Sequence, residues 1–170
     1  AFNHLAFNGA VLQMFSHGIM TGLFFAVVGA VYDRAHIRDI TVLEGLGKRM
    51  GVTAAFFVVV GLTSLGLPGL SGFVAEFLVF LGVFRTYLPL AILAVIGAAI
   101  TAVYIMRLLA KVFFGPLDPR WEHLGDASGR EVAAGAILIL TIVFVGIYPT
   151  PLMKIINTGV TTLLGRIPGS

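Results

Sequence analysis

No cysteine occurs in the 170 residues. Its absence excludes disulfides, thiolate zinc centres and cysteine-held iron–sulfur clusters on this chain. Charge is also scarce. Only 11% of residues are Asp, Glu, Lys or Arg, against about 25% in soluble domains. The net charge of +3 is small, and the basic residues sit in short loops between apolar runs. They therefore indicate membrane orientation and not nucleic-acid binding. Nucleotide, haem and flavin signatures are missing: Gly45-Leu46-Gly47-Lys48 lacks the earlier glycine and the Ser or Thr of a P-loop. No basic segment with a cleavage site precedes the first apolar run, so no signal peptide is expected.

What remains is hydrocarbon. Hydrophobic residues make up 58% of the chain and the mean hydropathy is +1.02, which predicts an integral, polytopic membrane protein in contact with the lipid bilayer. The expected fold is an all-α transmembrane bundle spanning 1–170. Its spans fall at about 9–32, 51–84, 89–114 and 132–148. The 51–84 stretch is too long for one straight crossing of a ~30 Å core. Gly66, Pro68, Gly69 and Gly72 break it, so it is either two short spans or one crossing made of two half-helices. Residues from Thr150 onward read as an amphipathic or frayed tail.

Loop charge favours the single broken crossing. It puts the 33–50 and 115–131 loops on one side with Arg34, Arg38, Lys48, Arg49, Arg107, Lys111, Arg120 and Arg130. The other side keeps only Arg85, Lys154 and Arg166. Two crossings would even out that split. The positive-inside rule then makes both basic loops cytoplasmic.

Glu76 is the most informative residue. It lies in an apolar run just past the break, where a bare carboxylate costs several kcal/mol or more. A broken helix beside an intramembrane acid is a recurrent transporter design. Backbone freed at such depth has to line a cavity or be covered by protein. His17 lies in the middle of the first span, with Gln13 and Thr21 on the same face at four-residue steps and Ser16 beside it. A buried imidazole exchanges protons near neutral pH; the alternative is a neutral histidine bonding between helices. Thr101, Tyr104, Arg107 and Lys111 share a broad face of the third span. Arg107 and Lys111 either snorkel to the interface or form an aqueous outlet, the lysine being the better relay because burial lowers its pKa. His36 and His123 fall in polar loops and read as solvated. No metal site is expected.

Three segments carry a resemblance: Gln13-Met14-Phe15-Ser16-His17-Gly18, Tyr32-Asp33-Arg34-x-His36-x-Arg38-Asp39, and Gly66 through Phe77. Together they resemble the antiporter-like membrane subunits of NADH:quinone oxidoreductase (complex I), M type. Kin of that family occur in multisubunit cation/proton antiporters and membrane-bound hydrogenases. Glu76 favours the M type, since the sister L and N subunits typically carry lysine there; Ile37 departs from a threonine in the family pattern. The family proteins are about three times longer, and this chain resembles their last four spans. The resemblance implies that Glu76 is the terminal carboxylate of an output half-channel, His17 part of a central polar axis and Lys111 a connection outward. It also implies sister membrane subunits as partners, with NADH, FMN, iron–sulfur clusters and quinone held by other subunits and no cofactor on this chain.

The expected function is proton translocation, coupled to electron transfer elsewhere in a complex of the bacterial inner membrane. The rivals are a subunit of a cation/proton antiporter or membrane-bound hydrogenase, and a purely structural membrane module.

Overall fold

A computed structural model describes residues 3–166, and every long element among them is an α-helix. The order is α1 (His4–Ala35), α2 (Gly51–Ser64), α3 (Ser71–Phe84), α4 (Leu88–Val112), α5 (Gly129–Ile147) and α6 (Thr150–Leu164). Three of them, α1, α4 and α5, are long and apolar enough to cross a membrane.

Local chemistry sets bounds that hydropathy alone misses. α1 begins well before residue 9 because the Asn3 side chain accepts from the Ala6 N–H at 2.8 Å and caps the first turn. It runs on to Ala35 and stops where His36 turns left-handed, at φ 53°. α5 starts at Gly129, not 132, because Ser128 and Glu131 form a reciprocal capping box. The segment from Thr150 is not frayed. It is an ordered amphipathic helix whose Ile156, Val160 and Leu164 are buried with Leu12 of α1.

The break between α2 and α3 is built by its own residues. Gly66 has φ 63°. Its N–H donates to Thr63 O and the Leu67 N–H donates to Leu62 O, both at 3.1 Å. This pairing is a Schellman stop, which wants glycine at the left-handed position. Leu67-Pro68-Gly69-Leu70 then turns with proline second, glycine third at φ 94°, and the Leu70 N–H donating to Leu67 O. That is the pattern of a type II turn. The freed backbone groups are thus largely satisfied locally.

α2 and α3 have 14 residues each, about 21 Å apiece and too short to cross a ~30 Å core alone. Contacts at the ends show that they run one after the other from one end of the bundle to the other. The 36–50 and 113–128 segments interlock: Gly47 N–H donates to Phe113 O at 3.0 Å, and Trp121 Nε1 to Val42 O at 3.1 Å. Arg34 pairs with Glu131 at 2.7 Å. The Asp126 carboxylate accepts from the Val52 and Thr53 N–H groups at the start of α2. At the opposite end, Asn3 Nδ2 donates to Gly82 O and Thr86 Oγ1. α2 therefore starts at the basic end and α3 finishes at the other.

α1 and α3 approach most closely. A Cβ on Gly9 would collide with Val79 N and Leu78 Cβ, and one on Gly82 with the Ala6 backbone. Small residues at such crossings let backbones touch where no hydrophobic drive separates protein from lipid.

Candidate functional site

The break and the α1–α3 contact leave an open, partly polar pocket of about 420 Å³, at whose mouth His17 is exposed and not buried as expected. Gln13, Ser16, His17 and Thr21 line it from α1, Thr63 and Ser64 from the end of α2, Gly72 and Glu76 from α3, and Thr101 and Tyr104 from α4.

Glu76 sits on the second turn of α3 and folds back against the break. A Cβ on Gly66 would lie 2.6 Å from its Oε2. Among the described residues no basic side chain forms an ion pair with Glu76. The reading of Glu76 as half of a structural salt bridge finds no support within them. Gly72 fits beneath because its backbone abuts the Thr63 carbonyl, which leaves no space for a side chain. Gly66 and Gly72 thus belong to the site. Gly69, like Gly66, lies outside the cavity lining; it shapes the turn of the break at φ 94°, and its carbonyl abuts Gly146 of α5.

Hydroxyl groups polarise the walls in one direction. Thr21 Oγ1 donates to the His17 carbonyl, Thr63 Oγ1 to Val59 O at 2.8 Å and Thr101 Oγ1 to Gly97 O at 3.1 Å. With the hydroxyl proton spent on the helix backbone, each threonine presents acceptor lone pairs. Gln13 Oε1 is buried without a partner. The pocket therefore combines a carboxylate and acceptor lone pairs with groups that can also donate, the His17 imidazole, the Gln13 amide and the Ser64 and Tyr104 hydroxyls, a mixed lining that can order water. Ser16 and Ser71, each 1% exposed, share a 2.7 Å hydrogen bond in which either oxygen can donate. It ties α1 to the first residue of α3.

Most of the residues singled out by sequence meet here: Glu76, His17, Gln13, Ser16, Thr21, Thr101 and Tyr104. Lys111 and Arg107 do not line the cavity. Lys111 is exposed at the end of α4 and pairs with Glu44 at 3.0 Å, because the 36–50 segment folds under α4. Sequence reasoning missed Thr63, Ser64 and Ser71, whose i−4 spacings and place at the break were visible. It also missed Asp126, which no local pattern marks. Among the described residues no group of three or more His, Asp or Glu is arranged to hold a metal.

Comparison with known proteins places the chain in a family. The family described as "NADH:quinone oxidoreductase/Mrp antiporter, TM" matches residues 1–101. NAD(P)H-quinone oxidoreductase chain 4 1 of Synechococcus sp. (strain JA-3-3Ab) is 41% identical over 88% of this chain and 30% of its own length. NADH-quinone oxidoreductase subunit M of Rickettsia prowazekii (strain Madrid E) is 34% identical over 96% of this chain and 34% of its own. A chain of respiratory complex I from Thermus thermophilus with bound NADH superposes with a TM-score of 0.83 at 27% identity, covering 92% of this chain and 34% of that one. The chain thus spans about a third of the length of these relatives. With a discontinuous helix, an intramembrane carboxylate at its break and a family match over more than half its length, it belongs to the NADH:quinone oxidoreductase/Mrp antiporter family of integral membrane proteins.

Proposed function

We propose that this chain is the C-terminal part of an M-type subunit of NADH:quinone oxidoreductase and that it translocates protons through the cavity at the broken helix. The carrying observation is that Glu76, His17 and Gln13 line one polar volume at the α2–α3 break. His17 and Glu76 bring an imidazole and a carboxylate to the same lining, and threonine lone pairs on the same walls are acceptors for water that would connect them. Electron transfer takes place in partner subunits, which carry NADH, FMN, iron–sulfur clusters and quinone. A charge change nearby alters the proton affinity of Glu76. Moving one charge across 100 mV costs about 2.3 kcal/mol, and a two-unit change in proton affinity is worth about 2.7 kcal/mol, so ordinary electrostatic shifts suffice. The basic end, with the 36–50 and 113–128 segments, faces the cytoplasm of a bacterial inner membrane. On that orientation Lys111 lies on the cytoplasmic side, so release to the opposite side does not pass through it.

Glu76→Gln in the full-length subunit tests the reading. Glutamine keeps the size and the hydrogen bonding but cannot cycle a charge-changing proton. The expected result is an assembled complex with little proton pumping, and with Glu76→Asp retaining part of it. Wild-type pumping stoichiometry in a fully assembled Glu76→Gln complex refutes the role.

A further inference from the structure

The cavity runs along α1 from Gln13 to Phe24, toward the basic end. Beyond Gln13, toward the opposite end, the packing among α1, α3, α5 and α6 is mostly apolar, with Leu12, Ala75, Val145, Ile156 and Val160 buried together. One polar file crosses it. Asn8, Leu12 and Ser16 are all buried on α1 at four-residue steps, so they stack on one face. Ser16 borders the cavity and is bonded to Ser71. Asn8 lies about 12 Å farther along the helix, only 9% exposed, and its Nδ2 donates to Asn157 Oδ1 of α6 at 2.9 Å. Asn157 is exposed on the outer face of α6, so the amide pair joins a buried position to that face.

Two side-chain oxygens among the described residues are buried without a hydrogen-bond partner: Gln13 Oε1 and Asn8 Oδ1. Such atoms are uncommon and call for an explanation. They flank Leu12, which is 0% exposed.

We propose that this file is the outlet of the cavity and that Leu12 is its dry gate. The inference rests on the proton-translocating reading of Glu76. The ~12 Å between Ser16 and Asn8 equals about four water-to-water hydrogen bonds at ~2.8 Å each. Ser16 and Asn8 supply polar ends for such a chain, and the leucine between them supplies none. With Leu12 in place the chain is interrupted and the cavity is sealed from the basic-poor side. When Leu12 swings aside, water joins Ser16 to Asn8, and a proton leaving Glu76 passes to bulk over Asn157. The amides are neutral throughout: they order water and neither gain nor lose a proton.

The gate and its far side respond oppositely to substitution. In membrane vesicles holding the full complex, Leu12→Ser is expected to speed the collapse of an imposed pH gradient several-fold without any electron donor, while quinone reduction persists. Asn8→Leu and Asn157→Leu extend the dry segment. They are expected to abolish or strongly reduce pumping while the passive leak stays at the wild-type level. A wild-type leak in assembled Leu12→Ser, or full pumping in assembled Asn8→Leu, overturns the proposal. If Leu12→Ser does not assemble, the surface-accessible Asn157→Leu decides alone: full pumping overturns the outlet and lost pumping upholds it. Glu76→Gln on the same vesicles separates the two levels. Wild-type pumping in that variant removes the parent reading; lost pumping there with full pumping in Asn8→Leu removes only the outlet.

Discussion

Gly66→Ala and Gly69→Ala form a matched pair that isolates the contact between the break and the acid. Both glycines are left-handed, with φ of 63° and 94°, and alanine in that region costs about 1–2 kcal/mol. The larger φ at Gly69 lies farther from the left-handed well near 57°, so its alanine variant should be at least as destabilised. The surroundings differ. A Cβ at 69 meets nothing within 4 Å, whereas one at 66 lies 2.6 Å from Glu76 Oε2. Ordinary contact is about 3.5 Å or more, so the carboxylate has to withdraw by roughly 1 Å. A displacement of that size in a reacting group costs up to about 10²-fold in rate, and a loss of about tenfold in pumping is expected for Gly66→Ala. Thermal inactivation of the purified complex reports the backbone strain; acidification by reconstituted complex reports pumping. The two orders should cross, with Gly69→Ala the less stable or equal and Gly66→Ala the slower. If pumping falls equally in both, or tracks stability, the position of the Glu76 carboxylate does not matter and the argument fails.

Two further outcomes follow from the bundle's ends. Asp39→Cys, Ser128→Cys and Thr86→Cys, each in a full-length subunit freed of any other cysteine, can be labelled from outside with an impermeant reagent; position 86 should react and 39 and 128 should not, and the reverse pattern overturns the orientation. Asp126→Asn should lower the stability of the assembled subunit by about 1–2 kcal/mol, because it weakens a carboxylate that caps α2. Burial opposes ionisation of Asp126, but the N–H groups of Val52, Ala127 and Thr53 and the Thr53 hydroxyl outweigh it and hold the carboxyl below the usual range. That stabilisation is complete above the unfolded carboxyl value near pH 3.9 and fades as pH falls through the lower folded value. The gap between wild type and variant in thermal scans should therefore be constant near neutrality and shrink in acid.

Residues whose partners lie nearby in the chain were legible without coordinates. Gly66-Leu67-Pro68-Gly69 announces a stop and a turn because glycine and proline restrict the backbone locally, and Gln13, His17 and Thr21 share a face by helical period alone. Ser128 and Glu131 carry a capping box that hydropathy overruled, which is why α5 starts earlier than the apolar run. Lys111, Asp126 and Asn8 were not legible. Their partners Glu44, Val52 and Asn157 lie 67, 74 and 149 residues away, and no periodicity encodes such a meeting. For Lys111 helical phase leaves two readings, snorkelling to the interface or an aqueous outlet, and its exposed pairing with Glu44 at the end of α4 matches the first.

The glycine seam between α1 and α3 has a mechanical meaning. Helices whose backbones touch at Gly9 and Gly82, pinned further by Ser16 and Ser71, cannot slide without a clash, so the histidine-bearing rod and the carboxylate-bearing half-rod behave as one stiff body. α4 is held differently. Of its 25 residues only Ala91, Ile105, Leu109 and Val112 are buried, and an apolar groove of about 390 Å³ separates it from α3 beside Phe77, Phe80 and Ile96. Compliance therefore concentrates on the wall that carries Thr101 and Tyr104. Glu76 and His17 sit on the stiff pair, so a displacement of α4 would change the width of the pocket without changing the spacing between them.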